Sequence, residues 1–124
     1  MDSIYWSVSA IYELPHIEKY KDAKKLIDAL LKELSKHLDN VLIKYFGRQK
    51  DDSALYLIQG LGVLGIDLAD AFRLEGIFTT EAEAERFLTA LQYAVQHALP
   101  KEIAEEMLSK LLVVEKGAEL ELSG

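Results

Sequence analysis

The residues of this 124-residue chain through which chemistry could run are three histidines, two aspartates set three apart in an apolar stretch, and three closely spaced glycines. Glu33 and His37 lie one helical turn apart, so both could face a metal ion. Glu13-Leu14-Pro15-His16 has the Glu-x-x-His spacing with which helical bundles hold paired iron. Such a site needs a second copy of the motif and two further inward Glu residues, and Pro15 interrupts the helix that would carry the first. A surface ion pair accounts for Glu33 and His37, so no metal and no cofactor is expected. Arg86 and His97 share a helix face but stand eleven residues apart, about 16 Å along a helix, too far to hold one phosphate together. The chain has no cysteine, and its serines stand outside any Gly-x-Ser-x-Gly turn, so no nucleophile is expected and no catalytic residue is assigned.

Gly60-Leu61-Gly62-Val63-Leu64-Gly65 matches G-x-G-x-x-G, follows the strand-like Leu55-Tyr56-Leu57-Ile58 and precedes a helix-like run from Ile66 to Leu74. Glycines at that spacing let a backbone approach a pyrophosphate at a helix N-terminus. Over about thirty residues the chain resembles the dinucleotide-binding Rossmann fingerprint, which implies a nucleotide on Gly60–Gly65 with Glu81 at its ribose. Asp67 and Asp70 would then add carboxylates for Mg²⁺ and a phosphate. All-α nucleotide pyrophosphohydrolases use such groups, but their paired E-x-x-E and E-x-x-D segments are not found here in that order. The flanking segments read as helical. In that setting Gly60, Gly62 and Gly65 are small residues that let a buried helix approach a neighbour, and Asp67 and Asp70 form a solvated edge beside Arg73.

The elements that would position these residues read mostly as helices. Tyr20, Ile27, Leu31, Leu34, Leu38, Val41, Leu42 and Tyr45 recur at helical spacing, with Lys21, Lys25, Lys32 and Lys36 on the far side. One amphipathic helix over 15–46 is predicted, opened by Pro15 and stopped by Gly47. Residues 52–75, capped by Asp51, Asp52 and Ser53, are apolar on nearly every side and predict a buried helix. Thr80-Glu81-Ala82-Glu83 is a capping box that opens a helix over 80–99. Pro100 starts another over 100–115, and 118–124 is expected to fray. Ile4, Trp6, Val8, Ala10, Tyr12 and Leu14 alternate as in a strand, whereas Ile4, Tyr5, Val8, Ile11 and Tyr12 fit a helix. A short helix is preferred over 1–14, because no other clear strand offers a partner. The predicted fold is a single all-α domain, an antiparallel bundle of four to five helices around 54–74, with a small β element from the two chain ends left open.

Net charge is −7, with nine Lys/Arg against seven Asp/Glu in residues 1–50 and five against fourteen thereafter. An acidic body repels phosphate backbones, and the lysines of the first half interleave with acids as on a salt-bridged solvent face, which argues against nucleic acid. No uncharged stretch is long enough to span a bilayer and no secretion signal leads the chain, so a cytoplasmic protein is expected. One Asn and four Gln among abundant Lys and Glu fit a thermophilic source. With no catalytic set and an apolar central segment, the expected function is association with itself or another protein.

Overall fold

The computed structural model describes residues 4–13, 20–39, 41–50, 53–68 and 71–117. Among them lie β1 (Ile4–Glu13), α1 (Tyr20–His37), β2 (Ile43–Lys50), β3 (Ser53–Ile58), β4 (Gly62–Asp67), β5 (Ala71–Phe78), α2 (Glu81–Ala98), α3 (Lys101–Leu108) and β6 (Val113–Gly117). The strands form one antiparallel sheet in the order β2-β3-β4-β5-β1-β6. The fold is therefore mixed α/β, and the predicted all-α bundle is wrong.

Residues 52–75 are predicted as one buried helix, but the described ones among them form β3, β4 and the start of β5. The run has no alternation because these strands carry apolar side chains on both faces. Ile58, Leu64 and Ile66 are buried toward the helices, while Leu55, Leu57 and Val63 stand half-covered on the other face. The long helix over 15–46 is α1 followed by β2. Val41, Ile43 and Tyr45 alternate as a strand requires, yet Leu38, Val41, Leu42 and Tyr45 also sit at helical spacing, and β-branched and aromatic residues tip the choice to strand. The helix preferred over 1–14 is β1, whose missing partners are β5 and β6. The helix over 100–115 stops at Leu108, and its last residues enter β6. The pairing of chain ends left open by the sequence exists: Trp6 faces Glu115 and Val8 faces Val113. Pro15, His16, Asp51, Asp52, Asp70 and the tail 118–124 lie outside the described residues.

All three helices cover one face of the sheet. From the strands, Val8, Ala10, Leu64, Ile66, Phe72, Leu74 and Phe78 enter the core. Helix α2 lies centrally, beside β1, β5, β6, α1 and α3. Its buried Ala84, Phe87, Leu91, Ala94 and Val95 recur at three- and four-residue steps, the spacing that puts a stripe on one side of a helix. The Thr80 hydroxyl caps it, accepting the Glu83 backbone N–H at 3.2 Å and donating to Glu83 Oε1 at 2.9 Å. Helix α1 packs Ile27, Leu30, Leu34 and Leu38 inward beside α2. Arg86 Nη2 on α2 donates to the Asp39 carbonyl at 2.7 Å, satisfying an acceptor just past the end of α1. No described helix is long and apolar enough to cross a membrane.

Candidate functional site

Gly60, Gly62 and Gly65 neither pack a helix nor line a phosphate loop. They belong to the antiparallel β3–β4 hairpin, where Leu61 N–H closes a turn onto the Ile58 carbonyl at 3.0 Å. Gly60 holds φ +83°, a left-handed conformation that L side chains rarely adopt. Gly62 lies against β5, where a Cβ would collide with the Ile77 carbonyl and the Phe78 ring. Gly65 has ordinary clearance. The segment after Gly65 continues as strand, so there is no helix N-terminus to receive a pyrophosphate. Glu81, expected at a ribose, is the exposed first residue of α2. Asp67, expected on a helix, is the last residue of β4 and stands opposite Arg73 of β5.

At the ends of α1 and α2 the structure brings together residues far apart in the chain. His37 stacks on Tyr93 at 5.5 Å between ring centroids and lies 5.8 Å from the His97 ring. His97 Nδ1 is bonded to the Tyr93 carbonyl at 2.9 Å. Glu33 meets Lys36 Nζ at 3.1 Å and His37 Nε2 at 3.6 Å, the contact expected from their one-turn spacing. Among the described residues no set of three His, Cys, Asp or Glu is arranged to hold a metal. The hydrogen bond from Lys36 does most to hold the Glu33 carboxyl below its ordinary pKa of 4.5, and the charges of Lys36, His97 and His37 add to it. A carboxylate with a depressed folded-state pKa stabilises the fold above its unfolded pKa, and that contribution is lost as pH falls through the folded value. Glu33→Gln should therefore melt below the wild type at pH 7. The two melting curves should converge as the pH is taken below 4.5. A gap that does not narrow as the pH falls below 4.5 would refute the assignment.

The sheet face opposite the helices is open. Its residues lie in rows that run across the strands. One row joins Val114, Ser7, Ile77, Val63, Leu57 and Lys44 from β6 to β2. The next joins Ser9, Glu75, Gly65, Leu55 and Gly47. Val114 is 40 % exposed and Ile77 36 %. Ser7, between them, is buried and donates to Glu75 Oε2 at 3.0 Å, and Lys116 Nζ reaches the same oxygen at 3.5 Å. A shallow depression of about 380 Å³ lies over Gly65, bordered by Leu55, Val63 and Ile77.

Neither models of known protein families nor curated protein sequences match the chain.

The open face went unread in the sequence, although Phe72-Arg73-Leu74-Glu75-Gly76-Ile77-Phe78 alternates strictly and marks β5. Assigning Phe72 and Leu74 to a helix hid that signal.

Proposed function

We propose that this chain is a non-catalytic association protein of the cytoplasm, and that its open sheet face seats a second copy of itself. The row Val114, Ile77, Val63 and Leu57 carries the reading: it is apolar on four strands, interrupted only by the buried Ser7 of β1 between Val114 and Ile77, and covered by no described element. An antiparallel sheet that faces water usually alternates to polar residues on that side, and here the centre does not. Charge supports a like partner. The chain as a whole is acidic at −7, yet on this face Glu75 meets Lys116 and Asp67 stands opposite Arg73. Two copies would meet there without the repulsion their remaining surfaces impose. Two sheets stacked about 10 Å apart would interleave these rows, and the depression over Gly65 would take an apolar side chain from the mate. The acidic surface also disfavours nucleic acid as the partner.

Sedimentation equilibrium is the test. The wild type should be a dimer, and Ile77→Lys, which sets a charge in the middle of the row, should sediment as a monomer with unchanged helical circular dichroism. A wild type that stays monomeric at high concentration, or an Ile77→Lys dimer as stable as the parent, removes the proposal.

A further inference from the structure

On the helical side of the sheet, α1 runs beside α2 and its backbone follows no strand closely. The inner faces of β2 and β3 are consequently roofed only by the flank of α1, and a two-lobed groove opens between them. The lobes measure about 370 and 380 Å³. Tyr45 and Tyr56 line both, their rings edge to face at 5.6 Å and 67°. The first lobe has an apolar floor of Ile27, Ile66 and Leu68, with Lys24 and Arg48 at its rim. The second continues over Leu31, Val41 and Ile43, with Lys32 at its edge.

Two features of this groove point the same way. Its described lining holds three cations against one acid, Asp28, in a chain whose net charge is −7. Lys24, Lys32 and Arg48 form no ion pair with a described residue. Apolar walls, a few convergent polar groups and a volume of a few hundred Å³ are the attributes of a small-molecule site.

We infer that this groove binds a small amphipathic acid: one carboxylate on a flat or short-chain apolar body. The carboxylate lies in the first lobe, within reach of the Arg48 fork and Lys24, where charge-assisted hydrogen bonds are strongest. The body passes the tyrosine edges, which favour aromatic or hydrocarbon contact, into the second lobe. This site is on the opposite side of the sheet from the proposed dimer face, so the two stand or fall separately.

The probe is 8-anilinonaphthalene-1-sulfonate, an aromatic anion whose fluorescence rises in apolar surroundings. The native protein should take it up at one saturable site. Decanoate should displace it, and decyltrimethylammonium, of equal chain length and opposite charge, should not. Lys24→Glu combined with Arg48→Glu should weaken binding by about tenfold or more, the scale of losing two charge contacts. Exposed Tyr45→Ala should also weaken it, and Lys36→Glu, outside the groove, should leave it unchanged. Each variant is checked for wild-type circular dichroism. Equal displacement by the cationic detergent, or indifference to the double charge reversal, overturns the inference. So does loss of the probe in Ile77→Lys, which would put it on the other face.

Discussion

Alanine at Gly62 is expected to cost about 3 kcal/mol of stability, at the upper end of what overpacking a folded interior does. A Cβ there meets the Ile77 backbone carbonyl, which is fixed by the β4–β5 ladder and cannot rotate away as a side chain would. The β4–β5 pair must separate locally, at the place where Phe78 enters the core. Gly60→Ala should cost about 1 kcal/mol, because the space beside it is open and only its positive φ resists a side chain. Gly65→Ala should be neutral or stabilise by a few tenths of a kcal/mol, since its nearest neighbours stand 3.8 and 4.0 Å away and a strand prefers alanine to glycine. Urea denaturation of the three variants reads this order directly. A phosphate loop predicts a different pattern, in which all three alanines leave stability nearly intact and abolish nucleotide binding. A silent Gly62→Ala would therefore count against the hairpin.

The same three glycines show why the fold was only partly legible. Their spacing was plain, but spacing alone does not separate a phosphate loop, a helix contact and a hairpin. What separates them is whether the flanking residues are strand or helix, and residues 54–66 are apolar on both strand faces. A strand that is buried on one side and apolar on the other loses the period of two by which strands are recognised. The uncovered face is thus what concealed the sheet. Elements with one wet side were readable: Thr80 and Glu83 mark the start of α2, and the lysine-flanked stripe from Ile27 to Leu38 marks α1. Strand β1 keeps its alternation, yet its sequence also fits a helix, because its neighbours β5 and β6 come from some 60 and 100 residues later and nothing local announces them. The groove inherits both difficulties. Its walls come from α1, β2, β3 and the end of β4, and no short motif joins Lys24 to Arg48 or Tyr45 to Tyr56.

Phe87→Ala should be the most damaging single truncation on α2, at about 4 kcal/mol, the usual range for removing a buried phenylalanine. The ring is fully buried and lies 4.9 Å from the Phe78 ring, tilted by 40°. Beneath it is Gly76, where even a methyl group would come within 3.0 Å of the Phe87 edge, so backbone on one side and Phe78 on the other hold the ring in place. Rigid walls of that kind relax little, and a cavity that cannot collapse costs more than the lost transfer energy alone. For a domain of this size the melting temperature should fall by on the order of 10–20 °C. The comparison with Ile77→Lys then becomes informative, because residues 77 and 78 are neighbours in β5 that point to opposite faces. If one face of the sheet builds the monomer and the other joins two copies, Phe87→Ala should remain dimeric below its lowered melting temperature. Ile77→Lys should keep the helical layer and lose the dimer. Calorimetry and sedimentation on the two variants separate the roles. A Phe87→Ala protein that melts with the wild type would mean that α2 does not seat on β5.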